Sequence, residues 1–182
     1  YHHVAHLMDV GAGGLVIPNV QSAQHAQQAL SYALYPPQGR RGCGFALAHD
    51  DYRGGDIVTK MRLANDALLT IAQIESPEGV ENVEAIAAVE GIDGIWMGQF
   101  DLTTSMGIPG QFDHPAFLQA SQRIFQACKQ AGKVAVLATG DPKHLAQGPG
   151  QGYQLLIYVG DLWIYQSALR TCFEGIDQHN VA

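Results

Sequence analysis

Basic residues are scarce in this sequence: 10 Lys and Arg stand against 17 Asp and Glu, a formal net charge of −7. A nucleic-acid partner needs a cationic face to neutralise phosphates, and no stretch supplies one, so that class is set aside. Long apolar runs are missing too. None approaches the roughly 20 residues that span a bilayer, so no membrane partner is expected. The chain opens Tyr1-His2-His3, with neither an initiator Met nor the basic and apolar stretches of a secretion signal. Cysteine is sparse: Cys43, Cys128 and Cys172 are odd in number, widely spaced and form no C-x-x-C. This argues against a disulfide framework or structural zinc and for a reducing, cytoplasmic compartment. Nor does G-x-G-x-x-G follow any apolar run, so the signature of a dinucleotide site is lacking.

What is there reads as a globular domain. The apolar fraction is 47% and the charged fraction 15%, and 182 residues suffice for a sizeable core. Residues 1–182 are read as one domain. Short apolar runs alternate with amphipathic stretches that carry helix-start signals. Thr70 to Glu75 is the clearest run; Ser76-Pro77 then supplies an N-cap and a first-turn proline. Val80, Val83, Ile86, Ala87 and Val89 recur at helical spacing, and Gly91 closes the unit. Leu15 to Pro18 leads through Ser22 into a helix with Ala26, Ala29, Leu30 and Ala33 inside. Gly94 to Gly98 is a further strand. Asp113 is expected to cap a helix with Phe117, Ala120, Ile124, Phe125 and Cys128 on one face. Val134 to Ala138 leads to the cap Asp141-Pro142, and Leu155 to Val159 leads into a last helix around Ile164 to Phe173. Five strand runs separated by helices imply parallel pairing and the α/β class. A doubly wound sheet and a (β/α)8 barrel both fit that alternation.

Three features carry candidate chemistry. Gln73 and Glu75, two apart at the end of one strand, share a face. Asp101 follows the end of the next strand, and adjacent parallel strand ends lie about 5 Å apart, so Glu75 and Asp101 can converge. Two carboxylates with amide and water ligands suit a hard divalent cation with positions open for a substrate. The alternative is structural, since acidic residues at helix starts also favour the helix dipole. His2 and His6 stand at i,i+4 spacing but lack a further ligand at metal spacing, and read as two solvated histidines. Tyr35 to Gly42 is a rigid turn with two cations, Arg40 and Arg41, read as a solvated corner, with a subunit contact or anion clamp as the alternative. Gln147 to Gly152 reads as a flexible loop.

The motifs Gln73-Ile74-Glu75, Gly79-Val80-Glu81-Asn82-Val83, Val89-Glu90-Gly91-Ile92-Asp93-Gly94 and Gly98-Gln99-Phe100-Asp101-Leu102 resemble the HpcH/HpaI aldolase family. Asp9-Val10-Gly11-Ala12, Val16-Ile17-Pro18, the Tyr35 to Gly42 turn and Ala64-Asn65 agree in order. The resemblance implies a (β/α)8 barrel, here without roughly its first three βα units, and a divalent metal, magnesium or manganese or else cobalt. It makes Glu75 and Asp101 the metal ligands, with Gln73, Asp101 and the backbone N–H of Phe100 around the substrate. It makes Asp9 the catalytic partner of a histidine that has no counterpart among this chain's own. The implied activity is that of a carbon–carbon lyase. It would cleave a 4-hydroxy-2-oxo acid to pyruvate, or a related 2-oxo acid, and an aldehyde through a metal-stabilised enolate. A homo-oligomer, a hexamer in the family, is implied as well. An acyl-CoA lyase-like or oxaloacetate decarboxylase-like member of the same superfamily, or a non-catalytic paralogue, is the alternative.

Two departures stand out. The family's Gly-Pro-Ala/Ser-Asp-Leu is Gly98-Gln99-Phe100-Asp101-Leu102 here, and the bulky Phe is expected to narrow the substrate pocket. Val159-Gly160-Asp161 lacks one residue of the usual Val-Gly-x-Asp. Without the expected base, these 182 residues by themselves are expected to show no substantial aldolase turnover.

Overall fold

Proline gives up nothing at the first position of a helix, where its missing N–H has no partner to lose, and Pro77, Pro115 and Pro142 each open one. The computed structural model describes residues 1–158 and 160–177. Before each of these prolines, a side chain accepts a first-turn N–H: Ser76 from Gly79, His114 from Ala116 and Asp141 from Lys143. The middle cap corrects the expectation of Asp113. The Nδ1 of His114 lies 3.2 Å from the Ala116 nitrogen and fills the role itself.

Among the described residues five strands alternate with helices, as the runs predict: β1 Gly14–Ile17, β2 Leu69–Ile74, β3 Gly94–Met97, β4 Val134–Thr139 and β5 Leu155–Tyr158. The helices are α1 His2–Asp9, α2 Ala23–Ala33, α3 Ile57–Ala67, α4 Pro77–Glu81, α5 Val83–Ala87, α6 Gln99–Ser105, α7 Pro115–Gln130, α8 Pro142–Gln151 and α9 Asp161–Asp177. The expected single helix after Ser76 is two, α4 and α5, broken at Asn82. The chain divides into two compact units, Tyr1–Ala135 and Val136–Ala182.

In the first unit β1 pairs parallel with β2, from Gly14 opposite Leu69 to Ile17 opposite Ala72. β2 pairs parallel with β3, from Ile71 opposite Gly94 to Ile74 opposite Met97. Ile74, Val83, Ile86, Ile92 and Leu102 are fully buried and form much of the core. Gly94 is where the sheet allows no side chain: a Cβ there would lie 2.7 Å from the Val134 carbonyl oxygen and 2.8 Å from Ile71 Cδ1. α7 buries Phe117, Ala120, Ile124, Ala127 and Cys128, nearly the face expected, with Phe125 half-buried beside it. Met8 of α1, Leu15 of β1 and Ala33 of α2 form a smaller cluster, against which Val4, Ala12 and Leu68 pack.

In the second unit β4 pairs parallel with β5, from Val136 opposite Leu155 to Thr139 opposite Tyr158. The stretch expected as a flexible loop, Gln147 to Gly152, is helical to Gln151 and ends on Gly152 at φ 96°. Packing explains the correction. A Cβ at Gly148 would sit 2.8 Å from Leu156 Cδ2 and 2.9 Å from Leu137 Cδ2, so the glycine serves close helix–strand contact rather than flexibility. The expected strand end at Val159, and with it the Val159-Gly160-Asp161 departure, falls in part outside the described residues. Among the described residues no helix is long and apolar enough to cross a membrane.

Candidate active site

β2 delivers two polar side chains to one place. Ile74 points into the core with no exposure, so its neighbours Gln73 and Glu75 face the other way, each half-buried. The Gln73 amide donates to Glu75 Oε2 at 2.8 Å. The other carboxylate oxygen, Oε1, accepts the backbone N–H of Asn19 at 2.8 Å. Asn19 follows β1 at φ 48°, a left-handed conformation that asparagine tolerates better than most residues. The next residue, Val20, donates its N–H to the Gln73 carbonyl at 3.0 Å. Thus the segment leaving β1 is pinned to the end of β2.

β3 brings the second carboxylate. Gly98 donates its N–H to the Ile74 carbonyl at 3.0 Å, and α6 begins at once with Asp101 in its exposed first turn. A Cβ at Gly98 would lie 2.7 Å from Gln73 Nε2 and 2.9 Å from Glu75 Cβ, so the site closes only around a glycine. Gly98 also offers no side chain to cap α6, which leaves first-turn N–H groups, that of Phe100 among them, without a side-chain acceptor. At the other end of α6, the Ser105 hydroxyl donates to the Glu75 carbonyl at 3.0 Å.

The electrostatics are those of a site short of positive charge. Burial pushes the Glu75 carboxyl above its ordinary value, the Asn19 N–H pulls it down, and the negative Asp101 pushes it up again. Among the described residues neither Glu75 nor Asp101 forms an ion pair. No group of three or more His, Cys, Asp or Glu side chains suited to a metal ion occurs among them either. A cradle of two carboxylates and an amide, closed by a glycine, fits a hard divalent cation whose other positions go to water or substrate oxygens.

Phe100 is 65% exposed beside Asp101. Its ring meets Phe112 edge to face at 5.2 Å, and Phe112 leans on the buried Phe117. Asp9 belongs to a different cluster. It ends α1, exposed, and its Oδ1 accepts from Arg41 Nη2 at 3.2 Å. Arg41 is only 6% exposed, which corrects for that residue the reading of the Tyr35 to Gly42 turn as a solvated corner, whereas Pro36, Pro37, Gln38 and Arg40 are exposed as read. The aromatic face of Tyr35 and the Asp9 carboxylate draw its guanidinium inward. His2 and His6 are exposed on α1, as read. Asn19 and Ser105 escape a reading of the sequence. The first acts through a backbone N–H, which leaves no mark on composition, and the second is one hydroxyl in a polar run.

The model of the HpcH/HpaI aldolase/citrate lyase family matches residues 2–154. A 2-keto-3-deoxy-L-rhamnonate aldolase of Salmonella typhimurium is 37% identical over 170 residues, covering 91% of this chain and 62% of the relative. The chain thus spans less than two thirds of that protein's length. An HpcH/HpaI aldolase crystal structure from Desulfitobacterium hafniense is 32% identical with a TM-score of 0.89, covering 96% of this chain and 68% of that one. A citrate synthase structure is 27% identical with a TM-score of 0.85, covering 98% and 69%. The 182-residue chain belongs to the HpcH/HpaI aldolase/citrate lyase family.

Proposed function

We propose that this chain carries the metal and 2-oxo acid site of a carbon–carbon lyase that splits a 4-hydroxy-2-oxo acid into pyruvate, or a related 2-oxo acid, and an aldehyde. The observation that carries this reading is Glu75, half-buried, fixed by Asn19 and Gln73, and set beside Asp101 with no ion-paired Lys, Arg or His among the described residues. Its relatives include an aldolase of a 2-keto-3-deoxy sugar acid, a substrate of the same chemical class. The five strands would make up five of the eight βα units of a barrel, with the site at the C-terminal strand ends where such barrels place their chemistry.

A divalent cation, magnesium or manganese or else cobalt, would polarise the ketone and offset the negative charge that develops on its oxygen as the bond breaks. Glu75 and Asp101 would bind that cation, one from each of two adjacent strand ends. The Gln73 amide and the Phe100 N–H would orient the 2-oxo acid. Asp9 would accept the N–H of the histidine that takes the substrate hydroxyl proton, a role matched by none of this chain's own histidines. The exposed Phe100 would stand where the aldehyde half lies and narrow that side.

The test uses the complete gene product. Pyruvate release from a 4-hydroxy-2-oxo acid should need magnesium or manganese, vanish with chelator, and fall about 100-fold or more in Glu75→Gln and in Asp101→Asn. Oxaloacetate decarboxylation is measured beside it. Decarboxylation without aldol cleavage would replace this reading with its neighbour in the superfamily. Full activity in both variants would end it.

A further inference from the structure

Asp9 stands where its own helix disfavours it. It is the last residue of α1, against the negative end of the helix dipole, where a carboxylate is destabilising. A residue placed against the local preference needs something that holds it, and such conflicts gather at functional positions. Arg41 does the holding, and it is unusually well fixed for the purpose. Its guanidinium lies 4.5 Å from the centre of the Tyr35 ring, which is 1% exposed. The Tyr35 backbone is clasped on both sides by one asparagine: Asn65 Oδ1 accepts its N–H at 2.8 Å, and Asn65 Nδ2 donates to its carbonyl at 3.0 Å. The Tyr35 hydroxyl meets His49 Nε2 at 3.3 Å, and the Arg41 N–H donates to the Leu34 carbonyl at 2.9 Å.

The bond itself is half of what an arginine can make. Among the described residues only Nη2 reaches the carboxylate, at Oδ1, and the buried Nε has no partner. Arg123 shows in this chain what an arginine can make with a carboxylate: two parallel bonds to Glu84, 3.0 and 2.9 Å, on an exposed surface, whereas the single bond of Arg62 to Asp66, 3.1 Å, is exposed and buries no guanidinium. Burying a guanidinium for one bond to a surface carboxylate is a poor route to stability, because desolvation costs more than a single contact returns. What the arrangement does achieve is orientation. One oxygen of Asp9 is fixed from a rigid base, and Oδ2 is left to accept from something else.

We propose that Arg41 is a positioning residue: it holds Asp9 through Oδ1 so that Oδ2 is presented to the N–H of the proton-transferring base. This rests on the lyase reading above. The relay runs from Asn65 through Tyr35 and Arg41 to Asp9, and each link before Asp9 is in the interior or tied to backbone.

The experiment is a double-mutant cycle in the complete gene product with manganese, comparing Arg41→Ala, Arg41→Lys, Asp9→Asn and their combinations. Arg41→Ala should lower kcat by about 10- to 100-fold, as loss of an orienting partner does. KM for the 2-oxo acid and the manganese affinity should stay within about 2-fold, because neither ligand touches this relay. Arg41→Lys should recover part of kcat, since one donor suffices for one bond. In the Asp9→Asn background, Arg41→Ala should cost less than about 2-fold more. Equal losses in both backgrounds, or an unchanged kcat in Arg41→Ala, would overturn the proposal while Glu75→Gln still abolished activity. Should Arg41→Ala be insoluble, the same cycle with Arg41→Lys decides: a kcat loss that disappears in the Asp9→Asn background supports the proposal, and one that persists overturns it. A wild-type enzyme without metal-dependent cleavage removes the lyase reading itself, and this proposal with it.

Discussion

Gly98 and Glu75 show how narrowly single residues set this site. Gly98→Ala adds one methyl group, aimed at Glu75 and Gln73. The carboxylate would have to leave the Asn19 N–H to make room, so metal affinity measured by calorimetry should fall at least about 10-fold while the fold persists. A Gly98→Ala variant that binds manganese as the parent does would mean that Glu75 is not a ligand. Glu75→Gln makes the complementary case. Burial and Asp101 hold the Glu75 carboxyl above its ordinary value, so its charged form is disfavoured in the folded state. An acid raised in this way adds stability below its unfolded pKa, and that contribution is lost as pH rises through the folded value. At neutral pH without metal, then, the charge works against folding. Glu75→Gln should leave the melting temperature of the metal-free protein unchanged or higher, and should abolish the upward shift that manganese produces in the parent. A lower melting temperature would make Glu75 a structural group. At this scale the sequence carries side-chain chemistry well and backbone chemistry poorly. Gln73, Glu75 and Asp101 are legible from their places at strand ends, whereas the Asn19 N–H depends on a left-handed turn that no residue type announces. Arg41 is hidden for a related reason: its burial comes from Tyr35 and Asp9, which only the folded chain brings around it.

At the level of elements, the caps explain what can be foreseen. Ser22, Ser76 and Asp141 each stand before an apolar-periodic run, and each accepts the N–H its position predicts. α3 is not legible because it buries no residue completely, so its apolar positions trace no face, although Asp56 caps it by accepting from Thr59. The end of α8 is masked by the loop-like Gly148-Pro149-Gly150, of which Gly148 serves packing and the other two are exposed. α5 and α7 pack against each other, with Val83, Ile86 and Ala87 buried on the first and Phe117, Ala120 and Ile124 among those buried on the second. Arg123 bridges their edge, bonding both Glu84 oxygens and the Glu81 carbonyl. The Arg123 guanidinium holds the Glu84 carboxyl below its ordinary value. The stabilisation is therefore present above the unfolded carboxylate pKa and fades as pH falls through the lowered one. Both side chains are largely exposed, so Arg123→Ala should lower the urea midpoint only slightly at neutral pH. The difference from the parent should shrink at acid pH. A difference that grows with acid would assign the bridge's contribution to packing of the arginine stem rather than to charge.

For the whole molecule, alternation of strand and helix is enough for the α/β class but not for closure of a barrel, because each βα unit looks the same whether the sheet curls or stays open. α9 exposes Leu162, Trp163, Ile164, Tyr165, Leu169 and Phe173, with Leu162, Tyr165, Leu169 and Phe173 at spacings that return to one side. A contiguous apolar stripe on a seventeen-residue helix is seldom left in water. The occupant we propose is a second copy of the chain, whose equivalent helix would present the same stripe under two-fold symmetry. The complete gene product should therefore run as a homo-oligomer by light scattering at micromolar concentration. Trp163→Glu combined with Phe173→Glu places two charges in the stripe and should reduce the molar mass without lowering the manganese affinity, since Glu75 and Asp101 lie in the other unit of the chain. A parent protein that is monomeric, or an oligomer indifferent to both charges, would show that α9 is covered by something other than its own kind.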